Sequence, residues 1–442
     1  MRQPRLIRPM NKADSCGKNV SSLVLLAKCP GRTSFSSLFS VKHALGTKKV
    51  GHTGTLDSFA EGLLVVCTGA LTRIASRITA FDKEYEAVIA FGSETDTLDP
   101  YGAAVRTAPL PSKESFVDAF NAFKGELMQK PPAFSALHVD GKRASDLARK
   151  GIEVDVPERK INVFSSHIKE IQEKDGLVEY AHVVFHVSKG TYIRSLARDI
   201  AGACGSAAHL IGLRRTKVGS FRLEDAAGYG LLEPFSIKTV RAGLLARAEQ
   251  DDCLRQNVQN MQNTQYMQND KNTDESQNDQ YMQNVKYTQK DKNVKNTGKL
   301  QDIQTGENIK NSEKSQSVQN AQIGENTQIV KNAQNIQNEQ IVQSEIIQKL
   351  RYMTPLLARE CGFTPVFLKD GFSDHFFHGK PLSEKIFKDF PSDESDKSAP
   401  CDHHCSEYAV FVGTASEIGE SCDFAGIVER SGRLLKYGFV IS

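Results

Sequence analysis

The sequence has no apolar run long enough to cross a membrane, and the one near its basic N-terminus, residues 23–27, is too short for the core of a signal peptide. Its nine cysteines are an odd number and lack the dense spacing of a secreted disulfide scaffold. We therefore expect a soluble, cytoplasmic protein in a reducing compartment. No motif for a redox cofactor or a nucleotide is present, so we also expect no small-molecule cofactor.

Metal-ligand clusters are scarce as well. Residues 401–405, CDHHC, place two cysteines and two histidines close together. Structural zinc sites use these residue types, but they need a second ligand pair at a regular spacing, which is lacking here. We interpret the segment as a polar loop, with a zinc site as the alternative, and expect no metal.

The net charge is only +3, but it is unevenly distributed. Residues 1–250 contain 35 Lys and Arg against 26 Asp and Glu, a net charge of +9. The counts are 11 against 13 in residues 251–350 and 10 against 14 in residues 351–442. The basic first half permits a nucleic-acid partner, because phosphate neutralisation dominates affinity for nucleic acids.

A long tract lacks the residues that build a core. Residues 251–350 contain no Phe and no Pro, and 36 of them are Asn or Gln. Such a tract cannot bury enough apolar surface to offset the entropy of the chain. We predict a disordered, low-complexity insertion over residues 251–348, between two folded regions.

The sequence with the clearest chemical content is KVGHTGTLDSFAEG, residues 49–62. Its glycines allow positive φ and a close approach of the backbone to a ligand. The apolar run LLVVC that follows predicts a buried strand, which would anchor the loop. Asp57 is therefore a candidate nucleophile or base, although an aspartate in a Gly-rich loop also commonly caps a turn.

Two later stretches carry further candidates. DKEYEAVIAF, from Asp82, alternates in character and predicts a strand that contains Tyr85, where a tyrosine is by default a core residue. SKGTYIRSLAR, from Ser188, predicts a helix capped by Thr191, with Arg194 near its start. Composition alone would make Arg194 a surface charge.

A series of motifs in residues 22–221 resembles the TruB family, the tRNA pseudouridine-55 synthases. The motifs are KCPGRTS, GHTGTLD, DKEYEAVIAFGSETDTLDPYG, QKPPAF, SKGTYIR and HLIGLRRTKVGS, in this order. The chain departs from the usual family pattern at Cys29, Ser58, Glu61, Phe134, His138 and Ser145.

The resemblance implies a role for each matching residue. Asp57 would be the catalytic nucleophile, Tyr85 would stack on the target base, and Arg194 would lie beside Asp57. His52 would act on the RNA loop that the enzyme opens, and Leu213 would occupy the active-site leucine position. Further substrate contacts are expected from Tyr192, Lys28, Arg214 and Arg215, and from Lys142, Arg143 and Arg149 of an RNA-gripping thumb.

The implied reaction is the isomerisation of uridine to pseudouridine at position 55 in the T loop of tRNA, with the base flipped out of the loop. The enzyme would act as a monomer, away from membranes. Two alternatives remain. A guide-RNA-dependent synthase acting on ribosomal RNA is disfavoured by the long Pro-Pro thumb, and a tRNA-binding chaperone would have secondary or lost catalysis.

The expected fold class is α+β, a pseudouridine synthase fold in which a mixed, mainly antiparallel sheet is flanked by helices. A small C-terminal β domain, PUA-like, would follow. The expected boundaries are a basic tail at 1–21, a catalytic domain at 22–250 with its thumb at about 129–159, the insertion at 251–348, and the C-terminal domain at 349–442. In that last domain, short strands are predicted from MTPLL at residue 353 onward.

Overall fold

The structure, a computed structural model, describes residues 20–135, 137–139, 141–152, 156–249, 333–391, 405–413, 422–431 and 434–441. Residues 1–19, CDHH of the CDHHC segment and residues 250–332 lie outside this part, so the predictions made for them are not addressed. In the described residues, no helix is both long and apolar enough to span a membrane. Both sheets belong to one compact unit, residues 1–240 with 338–442.

The first half of the chain is rich in strands. They are β1 (Leu23–Lys28), β2 (Val50–His52), β3 (Glu61–Thr68), β4 (Lys83–Phe91), β5 (Ser93–Thr95), β6 (Ala104–Thr107), β7 (Gly125–Gln129), β8 (His138–Val139), β9 (Lys142–Arg143), β10 (Arg159–Lys174), β11 (Leu177–Val187), β12 (Ala208–Val218) and β13 (Phe221–Arg222). The predicted strands around Leu25, Val65 and Tyr85 are all present.

Nine of these strands form one sheet. Seven follow the order β1, β3, β12, β4, β11, β10, β7, while β2 pairs with β3 and β13 pairs with β12. In the described part of this sheet, β3 and β12 run parallel and the other neighbours are antiparallel. The sheet is therefore mixed and mainly antiparallel, as predicted.

The described residues also contain α-helices. They are α1 (Ser34–Leu45), α2 (Ala75–Thr79), α3 (Lys113–Ala122), α4 (Ala144–Ala148), α5 (Ile193–Ala203), α6 (237–249), α7 (333–348), α8 (Pro355–Glu360) and α9 (Ser373–Phe377). Thr33 caps α1 and Ser112 caps α3, each through its side-chain oxygen. α3 and α5 cover one face of the sheet, where Phe116, Phe120 and Leu196 are buried with strand residues.

The C-terminal region forms a second, five-stranded sheet. Its strands are β14 (Thr364–Leu368), β15 (Phe387–Lys388), β16 (Cys405–Gly413), β17 (Cys422–Ser431) and β18 (Leu434–Val440), in the order β15, β14, β16, β17, β18. The small C-terminal β domain expected from the sequence is present, and its architecture is consistent with a PUA-like domain. The part of the chain that the structure describes is therefore α+β, as expected.

Three local predictions are wrong. Thr191 does not cap α5, because the cap position is Tyr192, and the Thr191 hydroxyl bonds instead to the carbonyl of Ser188. MTPLL is not a strand: Thr354 caps α8 and Pro355 takes its first turn, where a missing N–H costs nothing.

The third correction concerns the end of the Asn/Gln-rich tract. Residues 333–348 form α7, whereas the sequence predicted disorder up to residue 348. Ile346 is completely buried, in one cluster with Leu26, Leu38 and Val41. The Glu345 carboxylate accepts the backbone N–H of Gly228. The burial of a few apolar side chains is enough to hold this helix. The composition of the tract, averaged over 100 residues, does not reveal them.

Candidate active site

The loop that carries Asp57 is held on both sides by buried apolar residues. Leu56 before it and Phe59 and Ala60 after it are at most 5% exposed and belong to the main core. The Ser34 hydroxyl, at the start of α1, accepts the N–H of Leu56 and donates to its carbonyl. This anchoring leaves the Asp57 side chain 35% exposed.

Arg194 meets Asp57 through two pairs of atoms. Its Nε lies 2.8 Å from Oδ2, and its Nη2 donates to Oδ1 at 3.0 Å. The guanidinium is only 4% exposed and also donates to the carbonyls of Thr97 and Phe134, at 2.7 and 3.1 Å. A planar guanidinium suits such a two-point contact, so the carboxylate is fixed in direction as well as in place.

Phe134 is one of the departures from the family pattern. It contacts Arg194 through its backbone carbonyl, so the substitution of its side chain leaves this hydrogen bond available.

Asp57 and Arg194 open into a pocket of about 330 Å³. Tyr85, Tyr192 and Leu213, all predicted site residues, line it with them. A cavity of this size, with apolar walls and a few polar groups, suits a small planar ligand. These side chains come from the loop after β2, from β4, from β12, and from α5 and the residue that precedes it.

The pocket also contains cations to which the sequence assigned no role. Lys83 and Arg159 line it, together with Arg194 and Arg215. Arg159 lies over the Tyr192 ring, with its guanidinium carbon 4.7 Å from the ring centroid. Burial, and then the charge of Arg215, lower the pKa of Lys83 to about 8. Lys83 could have been noticed from its place in the DKEY motif, whereas Arg159 enters only through the folding of β10.

Three residues expected to contact RNA lie in the interior instead. The Lys28 side chain, 1% exposed, donates to the carbonyls of Cys29, Ser58 and Ala60. Burial lowers the pKa of Lys28 to about 8, against opposing effects of nearby acidic groups. The lysine thus connects the end of β1 with the loop that follows Asp57.

Arg214 and Arg215 are 8% and 2% exposed. Arg215 donates to the carbonyls of Leu63 and Gly54, and Arg214 pairs with Glu61, one of the residues that depart from the family pattern. Their hydrogen bonds hold the two ends of the Asp57 loop, so both support the loop, and Arg215 also lines the pocket.

The parallel contact between β3 and β12 explains one glycine of the loop. Gly62 has φ of +111°, and a Cβ on it would lie 2.4 Å from the carbonyl oxygen of Arg215. Only glycine fits this approach. Gly51 and Gly54 do not show positive φ, so Gly62 is the one glycine of this described loop that uses it.

His52 ends β2 and does not line the pocket. Its Nδ1 is buried and has no hydrogen-bond partner among the described residues. Burial, followed by the charge of Arg215, lowers the pKa of His52, which favours the neutral imidazole.

The thumb is described in part. β8 and β9 form a short hairpin that includes Lys142 and Arg143, and α4 follows it. Arg149 is exposed and pairs with Asp146. Arg149 does not line the pocket, and the side chains of Lys142 and Arg143 are not described.

Comparison with known proteins shows the family to which the chain is related. Residues 42–193 match the family described as TruB family pseudouridylate synthase (N terminal domain). A protein of Treponema denticola, tRNA pseudouridine synthase B, is 50% identical over 233 residues, which are 49% of this chain and 65% of that protein. The protein of the same name from Borreliella burgdorferi is 42% identical over 207 residues, which are 47% of this chain and 72% of that protein.

The chain thus spans a little under two thirds of the length of the Treponema relative. Among solved structures, a Cbf5-Nop10-Gar1 complex contains a chain that is 28% identical, with a TM-score of 0.35. That match covers 46% of this chain and 51% of the other.

Proposed function

This chain belongs to the TruB family of pseudouridylate synthases, and we propose that it isomerises uridine to pseudouridine in the T loop of tRNA, at position 55. The observation that carries the proposal is the two-point contact between Asp57 and Arg194 at the mouth of an aromatic-walled pocket. A tRNA substrate is consistent with the expected cytoplasmic location and with an enzyme that acts alone.

The reaction defines what the pocket has to do. The bond between N1 of uracil and C1′ of the ribose breaks, the base turns, and C5 of the same base bonds to C1′. The proton on C5 is lost and N1 gains a proton, so atoms balance without any co-reactant. Once the bond between N1 and C1′ is broken, the protein must keep the detached base close to the sugar until the new bond forms.

Asp57 is the group we propose for the covalent or proton-abstracting step. Its carboxylate could attack the sugar or the base, or remove the sugar proton that yields a glycal. In each route Arg194 holds the carboxylate in one orientation, and its positive charge stabilises the ionised form. The 35% exposure of Asp57 leaves it accessible to a substrate, while the buried Arg194 is not.

Tyr85 and Leu213 are proposed to hold the detached base. Both line the pocket beside Asp57, and a phenol ring offers a flat face for the uracil and a hydroxyl for proton transfer. Arg159 supplies positive charge for a phosphate next to the target, whereas Lys83 is 7% exposed and donates to the carbonyls of Thr79 and Phe81, so it supports the wall of the pocket.

A uridine in a structured loop must leave its stack before it can reach Asp57. Extrusion costs a few kcal/mol, and the neutral imidazole of His52 is proposed to occupy the space that the base leaves. Recognition of this kind depends on loop shape and splayed bases, which is why an RNA loop is the proposed substrate rather than a duplex.

The test is the release of tritium from tRNA labelled at C5 of uracil. The wild-type chain should release label from the T-loop uridine, and Asp57→Asn should release none, because the amide is a poor nucleophile and base. The matched control is Asp82→Asn, a carboxylate that is 40% exposed and pairs with His186 outside the pocket. It should keep the wild-type rate.

A second outcome separates the enzyme from an RNA chaperone. If the wild-type chain binds tRNA but releases no label, catalysis is lost and the binding activity remains. If the label leaves from a uridine outside the T loop, the position is wrong while the reaction class stands.

A further inference from the structure

The outer face of α1 exposes two aromatic rings. Phe35 is 71% exposed and Phe39 is 64% exposed, and Phe35 is the most exposed large apolar side chain in the described part of the chain. They are four residues apart, so they lie on the same side of the helix. The opposite side already buries Leu38 and Val41 in the core, so packing within the domain does not account for the rings.

A lysine accompanies one ring and a histidine the other. The Nζ of Lys42 lies 4.9 Å from the centroid of Phe35, and the imidazole of His43 stacks on Phe39 with centroids 6.1 Å apart. Residues 28–56 contain no Asp or Glu and five Lys and Arg, of which Lys28 is buried and Arg32 pairs with Glu339 of α7. Lys42 is half-buried, and the other two lysines, at 48 and 49, are exposed. Exposed aromatic rings with cations between them are the composition of surfaces that stack the bases of single-stranded nucleic acid.

The start of α1 is joined to the loop that carries Asp57. Ser34, next to Phe35, makes both hydrogen bonds to the backbone of Leu56, the residue before Asp57. In the turn before the helix, the N–H of Gly31 donates to the carbonyl of Ser58 at 2.7 Å. The start of α1 and the Asp57 loop therefore form one hydrogen-bonded unit, which places the first turn of the helix beside that loop.

We propose that Phe35, Phe39 and Lys42 form a stacking platform for unpaired bases of the same tRNA that places its uridine beside Asp57. The proposal rests on the proposed function and extends its binding site beyond the pocket. The absence of acidic residues in 28–56 favours a polyanion over a protein partner, and the shared backbone contacts make the substrate RNA the nearest polyanion.

The experiment measures the dissociation constant for unmodified tRNA with the full chain. Phe35→Ala/Phe39→Ala should weaken binding by about ten- to hundredfold, because two stacking surfaces are lost. Phe35→Tyr/Phe39→Tyr should keep the affinity, and Phe35→Leu/Phe39→Leu should lose it, since leucine is apolar but does not stack. Both rings are exposed, so melting temperatures should stay close to that of the wild type.

The matched control is Phe164→Ala. Phe164 is 52% exposed in β10, where its ring contacts His186, and it does not line the pocket. Its removal should leave tRNA affinity unchanged. In addition, Lys42→Gln should weaken binding and reduce its dependence on salt, because one cation is removed.

Wild-type affinity in the double alanine variant would overturn the platform and leave a protein partner as the occupant of this face. Full affinity in the double leucine variant would show apolar contact without stacking, and would also overturn it. Failure of the proposed function is a separate result: a wild-type chain that releases no tritium but needs Phe35 and Phe39 to bind tRNA would refute catalysis and retain the platform.

Discussion

At the scale of single residues, three cationic side chains are buried inside the fold and hold its backbone in place. Lys28, Arg194 and Arg215 are each at most 4% exposed. Lys28 and Arg215 donate to backbone carbonyls of the Asp57 loop, and Arg194 donates to the Asp57 carboxylate and to two carbonyls outside that loop. A buried cation is costly unless its donors are satisfied. When one cation donates to several carbonyls at once, its donors are satisfied and the backbone that carries those carbonyls is held in position.

Arg194→Lys tests the importance of orientation. A lysine keeps the charge but cannot contact both carboxylate oxygens and two carbonyls from one plane, so we expect the rate of tritium release to fall by about 10²-fold or more. The control is Arg198→Lys on the same helix, whose guanidinium pairs with Asp199 outside the pocket. Equal rates in both variants would remove Arg194 from the proposed mechanism.

Lys28 should make stability depend on pH in the alkaline range. Its pKa is about 8 in the folded chain against an ordinary 10.5, so between these values the unfolded chain holds a proton that the folded chain has released. The free energy of unfolding contributed by Lys28 therefore rises with pH, by up to about 1.4 kcal/mol per pH unit.

Urea unfolding of the wild type and Lys28→Met at pH 7, 8, 9 and 10 measures this effect. The difference between them should move in favour of the wild type above pH 8, because methionine has no proton to lose. A difference that stays constant, or that moves the other way, would contradict a lowered pKa for Lys28.

At the scale of elements, α7 shows that a helix can be recruited from an Asn/Gln-rich tract by a few contacts. Val342 and Ile346 are four residues apart and meet the cluster formed by β1, β3 and α1. Glu339 pairs with Arg32, and the Gln343 amide oxygen lies 3.0 Å from Nδ1 of His43. Tertiary burial and a few polar contacts, rather than intrinsic propensity, hold this helix.

Two neighbouring isoleucines of α7 provide a matched pair. Ile346 is fully buried, and Ile347 is 52% exposed. We expect Ile346→Ala to lower the free energy of unfolding by about 2–4 kcal/mol and Ile347→Ala to change it by well under 1 kcal/mol. Denaturant titration of both variants checks this, and similar values for the two would show that α7 does not pack as described.

At the scale of the whole molecule, the C-terminal sheet shares a hydrophobic core with the catalytic part. One buried cluster includes Leu25 and Leu63 of the larger sheet together with Phe363 and Phe411. Arg77 lies 4.4 Å over the Phe363 ring, donates to the carbonyl of Cys361, and pairs with Glu407. We therefore expect the two sheets to unfold together.

Phe363→Ala should lower the free energy of unfolding by about 3–5 kcal/mol while keeping a single transition. The comparison is Phe372→Ala, in the same region but 36% exposed, for which we expect a much smaller change. Far-UV circular dichroism and tritium release should be lost at the same urea concentration. Loss of activity at lower urea than loss of secondary structure would mean that the sheets unfold separately.

The sequence by itself determined several strands of the larger sheet and identified the residue that we propose as the nucleophile. The apolar runs of β1 and β3 and the alternation of β4 follow from the period of a strand, so they were predictable locally. The ordered motifs identified the family, and with it Asp57, Tyr85 and Arg194. Those three residues are brought together in or around one pocket.

Only the tertiary structure shows which cationic side chains line the pocket and which hydrogen-bond to the backbone around it. Arg215 follows Arg214 in β12, a strand read from the sequence as a source of phosphate contacts, but its parallel register places it against Gly62. Asp57 and Arg194 are 137 residues apart, and Arg159 reaches Tyr192 from another strand. Such contacts depend on strand order and register, which no local pattern of residues encodes.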